Sequence, residues 1–357
     1  MSAPISPDDE QAIAFLTEIV GIYSPSTRER AVAQHTVEAM SDLGYEAEID
    51  GAGNAVGCRG EGARNILLLG HIDTVPGEIR VRREADLLYG RGSVDAKGPF
   101  AAFVVAAARA GVLPDTQVTV VGAVEEEAAT SAGAYHVLEH YSTPDYVVIG
   151  EPSGWSRVTI GYKGRLLIDY LLERPMSHTA GRERTACEEG VSFWLKVHEF
   201  AQAYNQDKDG RFATVDPSLR SICSSLDGLR ERVEMHIGLR LPLELDVSAF
   251  VGQMKEWRDV AEVGTRGYEQ PFRAPKRNAL TSAFLSSIRA EGGKPAFVTK
   301  TGTCDMNVLG PRWHCPIVAY GPGDSRLDHR PDEHIDVQEY LTSIRVLVRV
   351  LRRLAAG

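Results

Sequence analysis

His71 and Asp73 stand two residues apart at the end of the stretch LLLGHIDTVPG, residues 67–77. Three consecutive aliphatic residues read as a buried strand of a parallel sheet. Residues two apart on a strand face the same side. An imidazole and a carboxylate therefore leave the carboxyl end of that strand together, at the edge where open α/β sheets place their ligands. An ordinary strand exit with a solvated His and Asp has the same local pattern. The stretch VTVVGAVEEE (118–127) repeats the design with Glu125, Glu126 and Glu127. Adjacent carboxylates repel one another, and keeping them at the end of a buried strand points to a cation or a positive partner. YVVIGE (146–151) does so a third time, ending on Glu151 before Pro152. Asp95 lies on the glycine-rich loop LLYGRGSVDAKG (87–98), just ahead of a small-residue helix at 98–109. A late loop, GPGDSRLDHRPDEH (321–334), carries His329 and His334 after a further strand at 317–320. The GRG of the first loop is not a dinucleotide fingerprint, because its spacing differs from GxGxxG and no strand leads directly into it.

Histidines and carboxylates without thiolates suit Zn²⁺, Co²⁺ or Mn²⁺ in a catalytic rather than a structural site. Two divalent ions sharing a bridging carboxylate take about five to six protein ligands, and the strand ends offer that many. The five cysteines are scattered with no CxxC pair, which reads as free thiols in a reducing compartment.

The elements that must position these groups fill two domains, as expected for 357 residues. Residues 1–157 read as the first part of an α/β catalytic domain. Its first 60 residues give helix, helix, strand, all scaffold. Ser6-Pro7 suits the first helix start, and Ser26–Glu29 suits a capping box for a second helix ending near Gly44. Residues 158–270 form an inserted α+β domain: one or two strands over 158–173, a helix at 187–204, a strand at 233–241 and a helix at 247–257. This β-α-β-α-β order suggests ferredoxin-like topology. Residues 271–357 return to the catalytic domain with a helix at 280–290, strands at 296–301 and 317–320, and a C-terminal helix from Val337. A hydrophobic content of 43%, no long apolar run and no basic-then-apolar leader predict a cytoplasmic globular protein. A net charge of −10 argues against a general nucleic-acid binder.

The motifs GHIDTVPG (70–77), GRGSVDAKG (90–98), GAVEEE (122–127), GEPS (150–153) and LDH (327–329) occur in the order found in one family. The chain resembles the M20 family of di-zinc aminoacylases and peptidases. That resemblance implies a zinc-peptidase-like α/β catalytic domain with an inserted lid and dimerisation domain, in a homodimer. It implies two Zn²⁺ per chain, with Co²⁺ able to substitute. His71 and Glu151 would hold one ion, Glu127 and His329 the other, and Asp95 would bridge both. Asp73 would orient His71, and Glu126 would be the general base. The family shows Asp-Glu-Glu where this chain has Glu125-Glu126-Glu127, so a shifted register would make Glu125 the base and Glu126 the ligand. His314 and His334 are the alternatives to His329. In PMSHTAG (175–181), His178 resembles the histidine that stabilises the oxyanion, usually across a dimer; otherwise it is a surface-loop histidine. Arg240 resembles the arginine that binds the substrate carboxylate, and Gly302-Thr303 a loop lining the same pocket.

Finer phrases, VDAKGP, KTGTCDMN (300–307) and YGPGDSRLDH (320–329), resemble the branch that releases lysine or ornithine from the C-terminal glutamate of an acidic amino-acid carrier protein. Arg80, Arg82, Arg83 and Lys163–Arg165 would offer such a carrier a local basic patch despite the net negative charge. Deacetylation of N-acetylornithine or N-acetyllysine, or desuccinylation of succinyl-diaminopimelate, is the alternative chemistry.

Overall fold

Strands that are apolar along their whole length must be covered on both faces, and the strands that end on polar residues are arranged in this way. The computed structural model describes residues 6–176, 178 and 183–357. The chain divides into two compact units. One comprises the residues up to Gly161 with Arg273–Thr299 and Cys304–Gly357, the other Tyr162–Phe272 with Lys300–Thr303.

In the larger unit, strands Thr116–Ala123, Arg64–His71, Tyr146–Gly150 and Ile317–Ala319 run parallel in that spatial order. Ala55–Arg59 and Glu46–Ile49 extend one side antiparallel, and Arg157–Tyr162 continues antiparallel on the other. The register places Gly122, Gly70 and Gly150 across three neighbouring strands. A Cβ at Gly70 would stand 3.1 Å from Cβ of Phe100, and one at Gly150 only 2.9 Å from Cα of Gly70. Bare backbone at this row lets helix Lys97–Ala110 settle on the sheet. That helix is buried along nearly its whole length and shares one core with the apolar stripe of helix Val337–Ala356. One residue beyond the glycine row come Ala123, His71 and Glu151. Close packing and the placing of site residues are thus set by the same register.

The N-terminal segment departs from its expected role as scaffold. Helix Asp9–Gly21 is capped by Asp8, which exchanges hydrogen bonds with Gln11, and not by Ser6. Helix Arg30–Asp42 starts without a side-chain cap, because Ser26 Oγ donates instead to Asp73 Oδ2 at 2.7 Å. It stops as expected, at Leu43 and the left-handed Gly44. The single strand expected next is a hairpin of Glu46–Ile49 and Ala55–Arg59, and the loop from Leu87 opens with a short strand, Leu87–Tyr89.

The smaller unit has strand order Asp216–Leu226, Arg230–Leu241, Gly164–Pro175, Glu262–Glu269, all antiparallel. With helices Ala186–Asn205 and Val247–Trp257, the chain order is β-α-β-β-α-β, the ferredoxin-like arrangement. Ile168, Phe193, Val233, Met235, Phe250 and Met254 form its core. Strand Asp216–Leu226 is the additional one: an exposed edge, polar along most of its length, lacks the apolar signal that marks a half-buried strand. No helix among the described residues is long and apolar enough to cross a membrane.

Candidate metal centre

The parallel strands deliver their terminal residues to one edge of the larger unit. His71 Nε2 lies 3.3 Å from Asp95 Oδ1, and His329 Nε2 lies 3.0 Å from Asp95 Oδ2. Asp95 therefore presents one oxygen to each imidazole. His329 Nε2 also meets Glu127 Oε1 at 2.8 Å, and Glu126 Oε2 stands 3.8 Å from His71 Nε2. His71, Asp95 and Glu127 each offer a donor atom, all within 4.8 Å of one another. Glu151 is buried (8% exposed), and its charge acts on the same group.

Asp73 anchors this arrangement. Its backbone carbonyl lies 3.0 Å from His71 Nδ1, and its Oδ1 lies 3.4 Å away. The same carboxylate accepts the backbone N–H of Glu126 on Oδ1 and that of Glu127 on Oδ2, each at 3.0 Å, besides Ser26 Oγ. Glu29 accepts the N–H of Glu125 at 3.2 Å. The Glu125 carboxylate accepts from Thr130 Oγ1 at 2.6 Å, whereas Glu126 and Glu127 face the histidines. Two non-glycine residues here have left-handed backbone, Glu125 (φ 59°) and His329 (φ 62°). Such conformations concentrate where surroundings force a side chain into a functional position.

A second support holds the Asp95 loop. Buried Glu333 accepts from Arg91 Nη1 at 2.8 Å and from the backbone N–H groups of Val94 and Asp95 at 3.0 and 3.2 Å. Sequence reasoning missed Ser26, Glu29, Arg91 and Glu333 as site residues. Ser26 and Glu29 carried a signal, misassigned to a helix cap. Buried Asp305, also missed, acts electrostatically on Glu126 and Glu151.

The charge balance calls for a cation. Burial, then Glu151 against the opposing pull of His71, drives the Glu126 carboxyl well up. Burial and Asp95 do the same to Glu151 and raise Glu127. His329, hydrogen-bonded to Asp95 and Glu127, is pushed up to about 10. His71 also rises well above its ordinary value: burial opposes its charge, but Asp73 and Asp95 outweigh that. Asp95 resists its own burial and stays below the usual carboxylate range through both imidazoles. Buried carboxylates gathered around two imidazoles favour a positive charge among them. The donor set fits a cation. Two ligands at ~2.1 Å on a tetrahedral ion stand about 3.4 Å apart, the scale of the His–carboxylate distances here.

The remaining expected residues lie elsewhere. Arg240 Nη1 donates to Thr303 Oγ1 at 3.0 Å in the smaller unit, and Gly302 lines a cavity with Arg240. His178 is exposed, and the surrounding Ser177 and residues 179–182 lie outside the described residues. His314 is exposed; His334 sits against the Tyr89 ring with Nδ1 2.7 Å from the Asp332 carbonyl.

Comparison with known proteins accounts for the motif order. Residues 67–353 match the model of peptidase family M20/M25/M40. The [LysW]-lysine hydrolase of Deinococcus radiodurans is 42% identical over 99% of both chains. The [LysW]-lysine/[LysW]-ornithine hydrolase of Saccharolobus solfataricus is 26% identical over 97% of this chain and 96% of its own. Among solved structures, the M20 family metallo-carboxypeptidase Sso-CP2 from Sulfolobus solfataricus shares the fold, with a TM-score of 0.80, 17% identity and coverage of 97% of this chain and 100% of its own. The dinuclear metal-binding peptidase YXEP from Bacillus subtilis shares it with a TM-score of 0.71, 12% identity and 98% coverage of both chains. The chain belongs to peptidase family M20/M25/M40.

Proposed function

We propose that this protein is a two-zinc amide hydrolase that releases lysine or ornithine from the C-terminal glutamate of an acidic LysW-type carrier protein. The observation that carries the reading is Asp95, whose two oxygens each face a different histidine. A carboxylate in that position suits a bridge between two ions, His71 and Glu151 holding one, Glu127 and His329 the other. Cobalt would substitute, because the donors are imidazole and carboxylate. The choice of substrate is supported by the names and extents of the relatives, which match nearly end to end. The setting would be cytoplasmic lysine and arginine biosynthesis by a homodimer.

When bound, the ions supply a Lewis acid for the amide carbonyl and an acidified water. Glu126 accepts that water's proton and returns it to the departing amine. Its place beside the histidines, with its backbone N–H fixed by Asp73, supports this role over Glu125, whose carboxylate is engaged by Thr130. Asp73 orients His71, and its hold on Glu126 and Glu127 keeps base and ligand at a constant separation. His178 donates to the carbonyl oxygen as negative charge develops there. Arg240, with Gly302 and Thr303, holds a substrate carboxylate.

The test is to incubate the zinc-loaded protein with carrier-linked lysine, carrier-linked ornithine, N-acetylornithine and succinyl-diaminopimelate, and measure released amine. Release from the carrier is expected. Release from a small amide alone would make the protein a deacetylase or desuccinylase, and release from none would overturn the hydrolase reading.

A further inference from the structure

Three successive backbone N–H groups, those of Glu125, Glu126 and Glu127, are taken up by two carboxylates of the larger unit. Asp73 accepts the second and third. Glu29 accepts the first: its Oε1 meets the Glu125 N–H at 3.2 Å and, on the same atom, the Thr27 N–H at 2.8 Å. Glu29 is only 6% exposed, and a carboxylate in such a place needs donors around it. Both donors have left-handed backbone although neither is glycine, with φ 74° at Thr27 and 59° at Glu125. That region costs a side-chain-bearing residue free energy and persists where the surroundings hold it.

Glu29 is itself fixed. The segment before it lies along the strand exit that carries His71 and Asp73. Ser24 Oγ donates to the Ile72 carbonyl at 2.7 Å, the Thr74 N–H to the Ser24 carbonyl at 2.9 Å, and the Ser26 N–H to the Thr74 carbonyl at 3.3 Å. On the other side, the Ala33 N–H donates to the Glu29 carbonyl at 2.9 Å in the first turn of helix Arg30–Asp42. The acceptors for all three N–H groups thus belong to one frame, although Glu29 reaches Glu125 across 96 residues of chain.

The backbone at Glu125 decides where the next two carboxylates point. Continued as a strand, Glu125 and Glu127 would share one face and Glu126 would take the other. The left-handed turn breaks that alternation. Glu125 turns its carboxylate to Thr130, whereas Glu126 and Glu127 both face the histidines.

We infer that Glu29 is a positioning residue: it holds Glu125 in the left-handed conformation and so selects Glu126, among three consecutive glutamates, as the general base. The assignment rests on the reading of Glu126 given above.

Lysine release from the carrier-linked substrate and zinc content are measured on zinc-loaded variants. Glu29→Ala should lose about 10–100-fold in kcat, the scale for a group that positions site residues. KM should stay within a few-fold and zinc near the wild-type level, because Asp73 still holds Glu127. Glu29→Gln, whose amide oxygen still accepts, should recover most of that kcat. Adding Glu125→Gly to Glu29→Ala should restore roughly tenfold in kcat, since glycine adopts the left-handed conformation without the penalty that Glu29 offsets. In a Glu126→Gln background, Glu29→Ala should cost little more, because the base it positions is gone. Should Glu29→Ala not fold, Glu29→Asp, one methylene shorter, takes its place. Wild-type kcat in Glu29→Ala, no recovery on adding Glu125→Gly, or a loss of rate in proportion to lost zinc would each overturn the assignment. Failure of the wild type to release lysine, or an active Glu126→Gln, would instead strike the reading beneath it, so the two failures are distinct.

Discussion

Asp73 Oδ1 accepts the backbone N–H of Glu126 at 3.0 Å, so the residue set against His71, the proposed metal ligand, also fixes the chain that carries the proposed base. Both Asp73 oxygens are used as acceptors, the second by Glu127 N–H and Ser26 Oγ. Asparagine would keep the shape but turn one acceptor into a donor facing a donor. Asp73→Asn should therefore retain most bound metal and lose about 10–100-fold in kcat, the usual cost of removing a group that positions metal ligands. His71→Ala, by contrast, should lose an ion. Metal content by elemental analysis, measured alongside kcat, separates the two.

Glu126→Gln should reduce turnover by at least 10²–10⁴-fold, the contribution of a positioned general base, with metal content near two ions per chain. Glu125→Gln should stay within a few-fold of wild type, because the Glu125 carboxylate is engaged by Thr130 and its positioning bond from Glu29 reaches the main chain. Near-normal kcat in Glu126→Gln, with Glu125→Gln inactive, would establish the shifted register.

Glu333 joins Arg91 to the Asp95 loop while itself buried. Glu333→Ala would leave buried Arg91 without its carboxylate and two backbone N–H groups without an acceptor. A loss of about 3–5 kcal/mol in unfolding free energy is expected, as for other broken buried pairs. Denaturant titration measures it. Glu333→Gln should lose less stability and still weaken metal retention, since its amide oxygen replaces only one of the two acceptors.

What could be read from the sequence follows from physical constraint. The strand ending in His71 and the strand preceding Glu151 were legible because a strand covered on both faces must be aliphatic throughout, which makes a polar residue at its end conspicuous. Ser26 was not legible: it reaches Asp73 across 47 residues of chain, and its local context is equally that of a helix cap. Glu333 meets the N–H of Asp95 across 238 residues, and no local pattern reports such a contact. Strand Asp216–Leu226 escaped because an exposed edge strand has little apolar alternation, and the bulge at Arg220 breaks what little there is.

Metal removal supplies a test in which one substitution should have opposite effects in two states. Without a cation, Glu151 is a buried carboxyl disfavoured as an anion first by burial and then by Asp95, with His71 only partly offsetting them. With the ion present, the same carboxylate is a proposed ligand and its charge is favourable. Glu151→Gln keeps the volume and removes the charge. In protein stripped by a chelator, the variant should melt at the same temperature as wild type or a few degrees higher. After zinc is restored, the order should reverse, with wild type gaining more in Tm because only it completes the donor set. Calorimetric melting of four samples, wild type and variant with and without zinc, decides the matter. A variant that melts below wild type by the same margin in both states would show that Glu151 serves packing rather than the ion.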